Sequence, residues 1–195
     1  IGWFGYDLGR CVARLAPRNP PSQVPDMQIG IYGWALLQDH ERRESVALFT
    51  DAVDATIRRR LIDRLLGPRE PEAAAFRLES PFVSNFDPVS YAAAFARVQR
   101  YIRDGDCYQV NLAQRLSALA RGDPWSAYLQ LRARMASPYS AFLSGDSASV
   151  LSFSPERFLH LAGGRVETRP IKGTRRRCAT PEADREQVRQ LLASE

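Results

Sequence analysis

Hydrophobic and polar positions recur along the chain with two periods, and the changes of period mark its elements. Ile1–Gly9 alternates bulky and small residues and predicts a short buried strand with glycines at close contacts. Pro17, Pro20, Pro21 and Pro25 fall within residues 16–28 and predict a loop. Ile29–Leu37 and Ser45–Thr50 are β-rich runs either side of the polar stretch Gln38–Glu44, which predicts an antiparallel hairpin. The period then lengthens: Val53, Ile57, Leu61 and Leu65 recur at helical spacing, with Asp51 as the cap and Gly67-Pro68 as the stop. Residues 68–80 read as a polar, proline-containing connector.

Asp87-Pro88 opens a second helix with a cap before a proline at the first helical position. Tyr91, Phe95, Val98 and Ile102 form its apolar stripe, and Gly105 ends it. In Asp106–Gln114, Tyr108, Val110 and Leu112 alternate with Cys107, Gln109 and Asn111, which predicts a strand burying one face and presenting amides on the other. Asp123-Pro124 repeats the capped-helix signature, with Trp125, Tyr128, Leu129 and Met135 as its core stripe. Tyr139–Ser144 and Ser149–Phe153 follow as strands. Phe158–Leu161, Gly163-Gly164 and Arg165–Thr168 predict a tight hairpin. Thr180-Pro181 caps a last helix with acidic residues in its first turn and Val188, Leu191 and Leu192 along one side. The pattern is α+β, with mostly antiparallel hairpins and interspersed helices.

Composition narrows the class. A hydrophobic content of 45% over 195 residues supports a folded core, and no apolar run reaches the length of a membrane span. Cys11, Cys107 and Cys178 lack metal spacing and cannot all pair internally, which predicts a reducing, cytoplasmic location. His40 and His160 are isolated and suggest no zinc site. The net charge of +5 is spread along the chain, with arginine runs only at Arg58–Arg60 and Arg175–Arg177. That distribution predicts an anion-binding site on a solvated surface, and no nucleic-acid partner.

One residue stands out against this background. Lys172 is the only lysine beside 26 arginines. Arginine stays protonated and cannot act as a nucleophile, whereas a lysine can when its surroundings favour the neutral amine. Pro170 stiffens the approach to it, Gly173 lets backbone come near a ligand, and Arg169 and Arg175 are cations that favour the neutral amine or hold an anionic substrate. Glu156, at a strand end, is separated from Lys172 by one hairpin, so adjacent strands could bring a carboxyl acid or base beside a nucleophile. A carboxylate–lysine pair is equally common as a plain salt bridge.

Ser154-Pro155-Glu156-Arg157-Phe158 followed by Thr168-Arg169-Pro170-Ile171-Lys172-Gly173-Thr174 resembles the chorismate-utilising enzymes, and within them the branch that forms aminodeoxychorismate. Residues 105–115 and the stretch Gly5-Tyr6-Asp7-Leu8-Gly9-Arg10 match the same family, in order and over nearly the whole chain. Lys172 discriminates within the family, because the related anthranilate synthases carry alanine there. Arg176, where the family usually has proline, and Cys178 depart from the pattern.

The resemblance implies two large, mostly antiparallel sheets packed together with helices outside, residues 1–80 belonging to the N-terminal region of that fold and 81–195 to the first part of its catalytic region. It implies that Lys172 attacks C2 of chorismate and displaces the 4-hydroxyl, with Glu156 as general acid. Ammonia from a glutamine amidotransferase subunit or fused domain then adds at C4 and expels the lysine. Gly173 and Thr174 would line the substrate site. Gln109 stands where the water-adding members carry a lysine base, so its amide argues against water addition. Pro138-Tyr139-Ser140 matches a tryptophan-contacting segment apart from the active site, the rest of that pocket being formed by N-terminal sequence outside this chain. Family members are more than twice this length, and their Mg²⁺-binding glutamates are expected beyond Glu195. Both chain ends read as cut, and 195 residues supplying part of each sheet predict exposed edges, poor solubility and no activity alone. The competing expectations are anthranilate synthase component I and a non-catalytic fragment that docks the amidotransferase.

Overall fold

The computed structural model describes residues 1–16, 24–68 and 74–194. Most of the expected proline loop, including Pro17, Pro20 and Pro21, lies outside the described residues, as do residues 69–73 of the expected connector and Glu195.

Strand β1 (Gly2–Phe4) leads into a helix absent from the sequence reading, α1 (Leu8–Ala13). An ion pair of Asp7 with Arg10, 2.9 Å apart and one helical turn on, supports it. The expected buried strand is thus short, and Ile1, Phe4 and Tyr6 are exposed. Strand β2 (Met27–Ile29) pairs antiparallel with β1, so Ile29 belongs to a different ladder from the one expected. The hairpin itself is β3 (Trp34–Asp39) with β4 (Glu44–Phe49), in register from Trp34 opposite Phe49 to Asp39 opposite Glu44. Helix α2 (Ala55–Leu66) starts later than expected, because Asp54 rather than Asp51 caps it: its carboxylate accepts from the Thr56 N–H at 2.7 Å. Arg58 of α2 lies 5.2 Å over the Phe49 ring.

Short strands β5 (Arg77–Leu78) and β6 (Val83–Ser84) precede α3 (Pro88–Arg103). The Asp87 cap is complete. Its carboxylate accepts from the N–H groups of Val89 and Ser90 at 2.8 and 2.9 Å, and its own N–H donates to the Ser90 hydroxyl at 3.0 Å. Gly105, at φ +81°, follows the helix end as expected. Residues 106–114 do not form the expected strand. Tyr108, expected to be buried, is 93% exposed. A strand exists only where a ladder partner satisfies its backbone. Pairing in this stretch begins at β7 (Leu116–Ser117), which meets β6, and β8 (Ala120–Arg121) meets β5.

Helix α4 (Pro124–Met135) carries Ala127 and Tyr128, the two buried hydrophobic residues among those described. Trp125, stacked on Tyr128 at 5.2 Å, and Leu129 and Met135 stay exposed. Strands β9 (Tyr139–Ser144) and β10 (Ser149–Ser154) pair along their full length. A further hairpin joins β11 (Arg157–Ala162) to β12 (Arg165–Arg169) through Gly163 and Gly164, both at positive φ. Helix α5 (Pro181–Leu192) begins at the expected cap, Thr180, whose side chain accepts from the Ala183 N–H.

The architecture is α+β, as expected, and each described sheet is a two-stranded antiparallel ribbon. Two compact units emerge, one of Ile1–Leu66 with Leu131–Glu195 and one of Gly67–Gln130. The stripes expected to be buried are correctly periodic but only partly covered: Leu61, Val98 and Ile102 are half-buried, while Ile57, Leu65, Tyr91, Phe95, Val188 and Leu192 are exposed. Spacing decides which face of a helix is apolar, while burial needs a second layer over that face. No described helix is long and apolar enough to cross a membrane, and the three cysteines are free thiols.

Candidate active site

Glu156 and Lys172 sit at the same end of one hairpin. Glu156 immediately precedes β11, and Lys172 follows the end of β12 by three residues. The turn at Gly163-Gly164 sets Ala162 opposite Arg165 and His160 opposite Glu167. An unbroken register would continue to Arg157 opposite Pro170. A bulge between Arg157 and His160 shifts it by one residue, so Arg157 faces Arg169 instead.

Glu156 is half-buried and its backbone is held locally. The Ser154 hydroxyl accepts from the Glu156 N–H at 3.2 Å and donates to its carbonyl at 2.9 Å. Lys172 is exposed, in an irregular stretch that runs to α5. Among the described residues the Glu156 carboxylate and the Lys172 amine do not form an ion pair with each other or with any other group.

Gly173 is pressed against α5. A Cβ added there would stand 2.7 Å from Leu191 Cδ1, so the glycine permits a close approach to the helix. Thr174 and Arg175 are exposed. Farther on, the Asp184 carboxylate accepts from Arg177 Nε at 2.8 Å and from the Cys178 N–H at 3.0 Å. These bonds, that from Arg177 first, hold the Asp184 carboxyl below its ordinary value.

Arg169 is paired through one of its donors, its side chain otherwise exposed. Its Nε donates to Glu167 Oε1, and the same oxygen accepts from Arg157 Nη2. These contacts, the Arg169 hydrogen bond above all, draw the Glu167 carboxyl below its usual range. Arg157 also lies with its guanidinium 6.0 Å from the Tyr139 ring centroid, and its Nε is buried without a partner. Glu167 was missed in the sequence. Alternation places it on the same face as Arg169, but only the bulge brings Arg157 within its reach.

Tyr139 stands opposite Ser154, which links the Pro138-Tyr139-Ser140 segment to the strand that ends just before Glu156. The Ser140 hydroxyl is occupied, donating to the Ser137 carbonyl at 2.8 Å. Gln109 and Asn111 are exposed and belong to the other compact unit, on an irregular segment and not on a strand face. Among the described residues no group of three acidic, histidine or cysteine side chains is placed to hold a metal ion, and the Mg²⁺ ligands that the resemblance implies are expected beyond Glu195.

The α+β architecture is that of a solved anthranilate synthase component I. The structure of that protein from Streptococcus pneumoniae TIGR4 superimposes with a TM-score of 0.80, covering 100% of this chain and 45% of that one at 24% identity. The chain belongs to the chorismate binding enzyme family, which matches residues 1–195. It is 46% identical over 196 residues to aminodeoxychorismate synthase component 1 of Klebsiella aerogenes and 43% identical over 195 residues to the protein of the same name from Escherichia coli K12. Each match takes in all of this chain and 42% of the relative, so the chain spans less than half the length of these relatives.

Proposed function

We propose that the whole protein containing these residues is an aminodeoxychorismate synthase component 1, converting chorismate and ammonia to 4-amino-4-deoxychorismate on the route to p-aminobenzoate and folate. The similarity to the Klebsiella and Escherichia proteins supports the reaction. What supports the assignment of residues is the β11–β12 register, in which Glu156 precedes one strand and Lys172 follows the other. In this reading the neutral Lys172 amine forms a bond to C2 of chorismate as the two conjugated ring double bonds shift and the C4–O bond breaks. Hydroxide is a poor leaving group, so Glu156 delivers a proton and water departs. Ammonia then bonds to C4, the double bonds return, the Lys172 nitrogen leaves C2 with the bonding electrons, and the new C4 ammonium returns a proton to Glu156.

A glutamine amidotransferase partner is proposed as the ammonia source. Gly173, Thr174 and Gln109 are proposed to contact substrate, and Pro138, Tyr139 and Ser140 are the candidates for a tryptophan contact. Mg²⁺ dependence is proposed for the whole protein through residues other than these. The deciding experiment is Lys172→Ala in the full-length protein, following 4-amino-4-deoxychorismate formed from chorismate and ammonia. Turnover should collapse at low ammonia and recover in part at high ammonia, where direct attack on C4 becomes competitive. Amination at the original rate under both conditions would eliminate the covalent role.

A further inference from the structure

We infer that Glu167 is a positioning residue that holds the Glu156-bearing and Lys172-bearing strand ends at their working separation; this rests on the reading that those two groups react. Arg157 and Arg169 are directly opposite each other on β11 and β12. Like charges in opposed positions repel and push paired strands apart. Glu167 lies two residues from Arg169 on the same face of β12, and one carboxylate oxygen, Oε1, accepts from both guanidinium groups. The carboxylate turns a repulsive cross-strand pair into a bridged one through charge-assisted bonds.

The clip sits where it matters for the site. Glu156 is the residue before Arg157, and Lys172 comes three after Arg169, so any splaying at this pair is passed to both groups through very little chain. The bulge makes the arrangement possible, since without it Arg157 would face Pro170. Arg157 has few alternatives. Its side chain is only 22% exposed, its Nε has no partner, and Glu167 is its acceptor among the described residues, with Tyr139 under the guanidinium. On the other side Ser154 secures the Glu156 backbone. Glu167 touches neither of the proposed reacting groups and works through their neighbours.

The test uses the full-length protein and two readouts. Cysteines placed at positions 156 and 172, with Cys11, Cys107 and Cys178 changed to serine, are joined by a short bismaleimide. Adding Glu167→Ala should lower the cross-linking yield severalfold, and an unchanged yield would overturn the inference whatever the reaction proves to be. In the otherwise unmodified enzyme, Glu167→Ala should reduce kcat by about tenfold, equivalent to roughly 1.4 kcal/mol in the barrier, with KM for chorismate nearly constant. Glu167→Gln, which keeps an accepting oxygen without the charge, should fall between the two and serves if the alanine variant does not fold. A rise in KM at constant kcat would also count against positioning. Glu156→Gln and Lys172→Ala run alongside: full activity in those variants, with the cross-linking effect intact, would remove the catalytic reading and leave the clip standing.

Discussion

Gly173→Ala probes the contact that places the proposed nucleophile beside α5. The added Cβ would lie 2.7 Å from Leu191 Cδ1. Apolar carbons rest about 3.5–4.0 Å apart, so roughly 1 Å of movement is required. Backbone conformation is no obstacle, because Gly173 is not among the residues at positive φ. The obstructing atom is the tip of a leucine that is 36% exposed and has room to turn outward. Overpacking a closed core costs about 1–3 kcal/mol, and the lower end applies to so yielding a neighbour. Replacing glycine by alanine returns about 0.4–1 kcal/mol by restricting the unfolded chain, so the net change in stability should be close to zero. Catalysis should respond much more. Either Leu191 moves or the 172–174 segment does, and a displacement of about 1 Å at a reacting group can reduce rate by on the order of 10²-fold. Urea unfolding and steady-state amination of chorismate, both on the full-length protein, separate the two effects. Leu191→Ala removes the obstructing atoms, so the Gly173→Ala/Leu191→Ala double variant should recover much of the lost kcat. An equal loss from Gly173→Ala in both backgrounds would show that this contact is not what positions Lys172.

Other outcomes follow from the same structure. Gly122→Ala should destabilise by about 1–3 kcal/mol, since φ is +106° and the new Cβ would meet the Ala75 carbonyl oxygen at 2.2 Å; Gly105→Ala, at φ +81° in open space, should cost less in the same urea titration. Tyr128→Ala removes one of the two buried hydrophobic side chains described and should cost about 3 kcal/mol, read as a lower unfolding midpoint. The Asp87 carboxyl is held below its ordinary value of 3.8, first by the Ser90 N–H and then by the Ser90 hydroxyl. Its contribution to α3 is therefore complete above that value and is lost as pH falls through the lower, folded one. Asp87→Asn keeps a capping oxygen and should flatten this acid-side decline, which unfolding curves between about pH 5 and pH 2 would register. Chelation of divalent metal should abolish turnover by the full-length enzyme, while the 195-residue chain alone shows neither turnover nor Mg²⁺ binding by calorimetry; robust amination by the short chain would defeat the proposal that residues outside it hold the ion.

Local chemistry was legible in the chain. Asp87-Pro88 and Thr180-Pro181 announce helix starts because a side-chain oxygen before a proline satisfies free N–H groups without long-range help. Gly163-Gly164 announces the last hairpin because two adjacent residues at positive φ demand glycine. Lys172 could be singled out because one amine among guanidiniums differs in chemistry whatever the fold. The 106–114 strand failed for the opposite reason: alternation describes a chain that could pair, and pairing requires a partner that local sequence does not supply. Helix α1 was obscured because the glycines around it read as strand contacts, while its support is a single turn-to-turn ion pair. Burial followed the same division, with the apolar stripes written in the spacing and their covering dependent on a second layer. Only the tertiary structure decided the bulge that sets Arg157 against Arg169 and recruits Glu167 to both. Capping and turn preferences act over three or four residues and are written in the order of the chain, whereas a one-residue shift between strands is settled by which cross-strand contacts can form together.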